Sequence, residues 1–212
     1  MAKFHLIYFD LRGRGEAIRM LFHQAGVDFT DERVTMDRFP TWKNDIDTPY
    51  GQLPVLKLEG GAVLAQTRAI LRYLGRLNGM AGDSELEAAQ IDAMADGFED
   101  FFDAIHMWVV SKVFEKNEQK AAEELKKLDE KNVIPTNLDR FEGFLKRSKG
   151  DYLVGTRLSW ADLYVAEWLQ TLVDCVEPNL LAKHLELQTY VKKIYALPNI
   201  KKYLATRKPT AL

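Results

Sequence analysis

A change of hydrophobic period within the first 26 residues constrains the fold more than any other feature of the chain. Phe4, Leu6 and Tyr8 alternate with His5, Ile7 and Phe9, the pattern of a strand largely buried on both faces. From Gly15 the spacing changes. Ala17, Ile18, Leu21, Phe22 and Ala25 recur three and four apart, and Gly26 follows as a helix stop. The segment therefore reads as strand, turn and helix, with Tyr8 near the strand's C-terminal lip. In open α/β sheets ligands collect beyond the carboxyl ends of strands, where loops and helix N-termini converge. Tyr8, Arg12 and Arg14 stand at such an end, either as a site that stabilises an anion or as a packed tyrosine beside two solvated arginines.

Hydrophobic period and turn formers likewise divide the rest of the chain. Val27 to Val34 supplies a second strand, and Leu53 to Leu64 reads as two short strands joined by Glu59, Gly60 and Gly61, with glycines available for positive φ. Up to about residue 78 the order is strand, helix, strand, helix, a strand pair and a final helix, a mixed α/β module. From Glu85 the periodicity is helical throughout. Asn78 to Asp83 carries two glycines and other turn formers, so the expected division is a first domain over 1–78, a linker over 79–83 and an all-helical domain over 84–212. Ser159, ahead of a helix starting at Trp160, with Asp162 at its third position, forms a capping box and is read as structural. The alternating charges of Ala122 to Lys131 read as a solvated helix face.

Composition narrows the function classes. With 29 basic and 31 acidic residues the net charge is only −2, so no global field draws the chain to nucleic acid or an anionic membrane. One cysteine, Cys175, excludes an internal disulfide, and nothing near Met1 resembles a signal peptide. No apolar run approaches the roughly 20 residues of a membrane helix. A cytoplasmic protein is expected, with no nucleic acid and no membrane as partners. Gly13 and Gly15 do not make a dinucleotide fingerprint, because Ile18 occupies the third glycine's place. There is no Cys-x-x-Cys pair, and His5, His23, His106 and His184 lack metal-ligand spacing. No metal site is assigned.

YFDLRGRGEAIR at Tyr8 to Arg19 closely resembles the N-terminal motif of the tyrosine-type cytosolic glutathione transferases. YGQLPVL at Tyr50 to Leu56, the Gln66 and Thr67 pair, DGFEDF at Asp96 to Phe101 and LSWADLYVAEW at Leu158 to Trp168 follow in the family's order and approximate spacing. Together they cover nearly the whole chain, and the RGRGE variant looks most like the sigma class and its nematode relatives, a group related to haematopoietic prostaglandin D synthase. The resemblance implies a thioredoxin-like N-terminal domain (βαβαββα) followed by an all-helical domain, and a homodimer. It also implies an enzyme that uses glutathione as co-substrate against hydrophobic electrophiles, with peroxide reduction and prostaglandin isomerisation as related reactions. The alternative is a non-catalytic carrier of haem or other hydrophobic anions, with haematin as a ligand.

Glutathione transfer needs a thiolate, and a free thiol of pKa about 8.5 is mostly protonated at neutral pH. A phenol O–H donates to that anion and a guanidinium adds positive potential, which makes Tyr8 and Arg14 the catalytic candidates. Lowering the thiol by about two units would take about 2.7 kcal/mol, within reach of two such groups. Pro54, unfit for a central strand, is expected at the start of an edge strand, where Leu53 can pair with the ligand's cysteinyl residue; the resemblance makes the Leu53–Pro54 bond cis. Gln66 and Thr67 open a helix whose N-terminus suits the γ-glutamyl carboxylate, although Thr67 alone also reads as an N-cap. By resemblance Lys43 faces the glycyl carboxylate, and Phe39 and Gln52 join the glutathione site. Phe39 stands where many relatives carry Trp and has no N–H to donate.

Asp92, Asp96, Glu99, Asp100 and Asp103 place like charges three and four apart on one helix. In the family, the acid matching Asp100 reaches the neighbouring subunit's glutathione, partner arginines such as Arg68 or Arg72 balance others, and sigma-class prostaglandin synthases bind a divalent ion here. A solvated ridge is the other reading. Tyr50 is the expected aromatic contact with the partner. Phe9, Arg12, Ile105, His106, Met107, Trp108 and Leu212 are expected to line the electrophile pocket, from their position in the family fold and their apolar or amphipathic character.

Overall fold

The computed structural model describes residues 3–43, 48–148, 151–210 and 212, with the side chain of Trp42 excepted. Two compact units divide the chain: residues 1–80 together with 195–212, and residues 81–194.

The first unit is built on strand β1 (Phe4–Phe9), helix α1 (Gly13–Ala25), β2 (Thr30–Val34), the short α2 (Phe39–Trp42), β3 (Val55–Leu58), β4 (Val63–Ala65) and α3 (Thr67–Leu77). The sheet order is β2-β1-β3-β4, with β1 parallel to β2 and antiparallel to β3. This is the thioredoxin-like arrangement. β1 has a strand on either side, so its backbone is paired along both edges, and its side chains are buried along most of its length. Gly26 takes φ +66° and caps α1 in the left-handed conformation, while Gly60 (φ +88°) and Gly61 (φ +91°) make the β3–β4 connection. Contrary to the expectation from sequence, Pro54 does not stand at the start of an edge strand: β3 lies between β1 and β4. It is tolerated because it precedes the first ladder residue, Val55, so its missing N–H removes no sheet bond.

The same unit takes back the end of the chain, which the sequence assigns to the helical domain. Helix α9 (Pro198–Leu204) packs on α1. There Tyr203 stacks on His23 with ring centroids 4.1 Å apart, its hydroxyl donates to Glu16 at 2.8 Å, and Asn199 donates to the Gln24 carbonyl at 3.0 Å.

The second unit is helical. It comprises α4 (Glu85–Val109), a π-turn segment over Val110–Phe114, α5 (Glu118–Glu130), α6 (Val133–Arg147), α7 (Trp160–Cys175) and most of α8 (Leu185–Tyr195). α7 is its axis, buried from Trp160 through Leu169 and so apolar on nearly every face. The rings of Phe98, Phe101, Phe141 and Tyr164 pack edge-on or tilted about it. The capping box at its start is present in both directions. Asp162 accepts from the amide and hydroxyl of Ser159 (2.8 and 2.6 Å), the Leu153 amide (2.9 Å) and the Tyr190 hydroxyl (3.1 Å). Burial pushes its carboxyl upward against the pull of these bonds.

Candidate functional site

β1 delivers Tyr8 to the C-terminal edge of the sheet, and two glycines let the chain turn tightly over its ring. A β-carbon on Gly13 would lie 2.7 Å from the Tyr8 hydroxyl, and one on Gly15 would lie 2.7 Å from Cγ of the ring. Neither position tolerates a side chain without moving Tyr8. Gly13 also takes φ +38°, outside ordinary L-residue space. The close turn has a chemical result: the Arg14 amide donates to the Tyr8 hydroxyl oxygen at 2.9 Å. With an oxygen lone pair engaged, the phenol's own proton is directed to another acceptor. Tyr8 is 5% exposed, and burial pushes its pKa above the ordinary 10, against the Arg14 amide and the charges of Arg14 and Arg19. The group is a neutral donor at physiological pH rather than a base.

Several predicted residues converge here. Tyr8 and Leu53 share one buried cluster with Ile7, Val34, Val55 and Ala65, and Phe9 and Phe39 pack against it. The Phe9 and Phe39 rings meet edge-on, with centroids 5.2 Å apart. The Leu53–Pro54 bond is cis. Gln66 donates weakly to the exposed Gln52 side chain at 3.4 Å. Thr67 is 4% exposed and donates its hydroxyl to the Arg14 carbonyl at 3.1 Å, so it joins α3 to α1 and is not an N-cap. Gln66 holds the cap position instead, with φ +72° and no side-chain cap bond. A non-glycine residue held there stores about 1–3 kcal/mol, a strain common at ligand clamps.

Other positions are less convergent. Arg12 is 5% exposed, and its amide donates to the carbonyl of the buried Leu212. Lys43 is exposed at the end of α2. Tyr50 is 65% exposed, Arg68 and Arg72 are half-buried on α3, and Asp100 is exposed on α4. Ile105 to Trp108 do not share a face: consecutive helical residues point about 100° apart, so Ile105 and Trp108 are buried while His106 and Met107 are exposed. Nor does Glu99 belong to a solvated acidic ridge. It is 6% exposed and accepts the Tyr164 hydroxyl of α7. Among the described residues there is no group of three or more metal-ligating side chains, and no helix is long and apolar enough to cross a membrane.

The sequence reading assigns no role to Arg19, yet it is fully buried directly behind the site, with its guanidinium carbon 5.7 Å from the centre of the Tyr8 ring. An arginine among apolar helical positions, three residues after a glutamate, is the signal that points to it.

A thioredoxin-like sheet with a cis-proline ahead of β3, and a tyrosine donor at the end of β1, defines the class of fold and site. The N-terminal domain family of the glutathione S-transferases matches residues 4–76, and their C-terminal domain family matches residues 102–207. Glutathione S-transferase 1 of Ascaris suum is 39% identical, with 99% of each chain covered. The crystal structure of the glutathione S-transferase from Ascaris lumbricoides superposes with a TM-score of 0.91 at 38% identity, covering 99% of this chain and 100% of that one. A monomeric glutathione S-transferase from the hookworm Necator americanus superposes with a TM-score of 0.87 at 33% identity, over 99% of both chains. The chain belongs to the glutathione S-transferase family.

Proposed function

We propose that this protein activates the thiol of glutathione and transfers its sulfur to hydrophobic electrophiles. The observation that carries this reading is the Tyr8 hydroxyl, kept neutral by burial and with its oxygen engaged by the Arg14 amide. Such a phenol stabilises an anion by donation. Arg14 supplies positive potential nearby. Leu53 pairs with the cysteinyl backbone, Gln66 and Thr67 hold the γ-glutamyl end, and Lys43 meets the glycyl carboxylate, with Phe39 and Gln52 at the margin. A reduced, cytoplasmic setting suits a chain with one cysteine.

The test is a spectroscopic titration. Bound glutathione is expected to show thiolate absorbance with a midpoint below the free thiol's value of about 8.5. The sign follows from the groups present, because a hydrogen-bond donor and a cation both favour the charged form and the pKa must fall. Tyr8, itself shifted upward, stays protonated across that range. A midpoint at or above the free value, with tight stoichiometric haematin binding, would replace this reading by the carrier.

The active assembly is proposed to be a homodimer. Tyr50 is largely exposed, and the helical unit has a cleft of about 510 Å³ between α4 and α6, floored by Met94, Phe141 and Phe144, which suits the partner's Tyr50. Arg68 and Arg72 face the partner, and Asp100 completes the neighbour's glutathione site. The Necator relative is monomeric, so sedimentation separates the two states. Sedimentation at low micromolar concentration is expected to give twice the chain mass, and a fully active species of 24.3 kDa would refute the shared site.

A further inference from the structure

Arg19 lies directly behind the Tyr8 ring. The side chain is 0% exposed, and all three of its nitrogens are engaged. Nη1 donates to the Leu11 carbonyl at 2.8 Å and to Glu16 at 3.1 Å. Nη2 donates to the Phe9 carbonyl at 3.2 Å, and Nε donates to both oxygens of Asp31 at 3.1 Å. The charge is balanced on both sides. Glu16 also receives Tyr203 at 2.8 Å and Arg207 at 3.2 Å, while Arg33 bonds Asp31 at 2.9 Å and Asp10 at 3.1 Å.

The two carbonyls matter most. Phe9 and Leu11 bracket the turn through which the chain leaves β1 just after Tyr8 and enters α1, where the Arg14 amide meets the Tyr8 hydroxyl. If that turn relaxes, the amide moves off the hydroxyl oxygen, and the phenol proton becomes free to rotate toward another acceptor. We propose that Arg19 is a positioning residue for the transfer reaction, its planar guanidinium gripping the Phe9 and Leu11 carbonyls so that the Arg14 amide orients the Tyr8 hydroxyl toward the glutathione sulfur. The role rests on the glutathione reading above. It belongs to the fork geometry of arginine and not to charge alone: a lysine ammonium keeps the charge but cannot span two carbonyls and two carboxylates in one plane.

The decisive variant is Arg19→Lys, measured against the wild type and against Ser159→Ala, which removes a helix cap in the other unit and lowers stability without touching the turn. For each, the thiolate midpoint of bound glutathione, kcat, KM for glutathione and the unfolding midpoint are determined. Arg19→Lys is expected to raise the thiolate midpoint by at least about half a unit and to lower kcat about tenfold or more, with KM changing far less, as misplacement of a catalytic group does. Ser159→Ala is expected to shift the unfolding midpoint alone. If Arg19→Lys does not fold, Asp31→Asn, which loosens the guanidinium but leaves its carbonyl bonds, must move the thiolate midpoint in the same direction by a smaller amount. A depressed wild-type midpoint that the Arg19→Lys variant, or Asp31→Asn in its place, leaves unmoved overturns the role of Arg19 alone. A wild-type midpoint that is not depressed overturns the glutathione reading, and this role with it.

Discussion

Replacing Tyr8 by Phe is expected to lower kcat/KM for conjugation about 10- to 1000-fold, the range seen when one donor to a developing or stabilised anion is removed. That corresponds to about 1.4–4 kcal/mol. The ring is conserved in shape by the substitution, so its packing against the Gly13 and Gly15 backbone is kept and the fold stays intact. Glutathione affinity is expected to change little, because the binding proposed for Leu53, Gln66, Thr67 and Lys43 involves the backbone and the two carboxylate ends of the tripeptide. The loss falls on the thiolate, which is the species whose stabilisation raises the rate. The bound thiol midpoint should rise in parallel. Turnover and glutathione binding measured on the same preparation decide the matter, and near-wild-type turnover would remove Tyr8 from the mechanism.

Removing the carboxylate of Asp162 is expected to cost stability and leave chemistry alone. In Asp162→Ala the Leu153 amide and the Ser159 amide and hydroxyl lose their acceptor, while the Tyr190 hydroxyl keeps the backbone carbonyl of Asp162 at 3.0 Å, inside a region where Ser159, Asp162 and Tyr190 are at most 1% exposed. Each buried group left unpaired costs about 1–3 kcal/mol. Partial relaxation and entering water reduce the sum, so about 3–5 kcal/mol is the expected loss, at the upper end of single substitutions. Denaturant unfolding of the variant measures it, alongside activity per folded molecule. A midpoint indistinguishable from wild type would show that the capping network contributes nothing net. Full stability with lost activity would place Asp162 in the chemistry instead.

Much of this was legible in sequence because it is local. The period-two run of Phe4 to Phe9, the helical spacing that follows it, Gly26 as a stop, Gly60 and Gly61 as a hairpin and Ser159 with Asp162 as a capping box each depend on residues a few positions apart. Backbone preference and side-chain periodicity act over that range. Tyr8 stood out as a hydroxyl at the end of a strand before a glycine-rich turn, but that pattern alone fits a packed tyrosine as well. Its catalytic candidacy came from the resemblance of the segment from Tyr8 to Arg19 to the tyrosine-type glutathione transferases.

What the tertiary structure decided was partnership over distance. Pro54 looks like an edge residue until β4 pairs on the far side of β3. Glu99 looks solvated beside its acidic neighbours until Tyr164, 65 residues away, arrives on α7. The tail reads as the last helix of the second domain, yet Tyr203 bonds Glu16 across 187 positions. Arg19 finds acceptors in Phe9, Leu11, Glu16 and Asp31, which only the closed sheet and helix bring to one point. Local sequence sets which groups need a partner, since a buried charge or donor cannot stay unpaired without cost. Which partner it receives is fixed only when the chain folds back on itself.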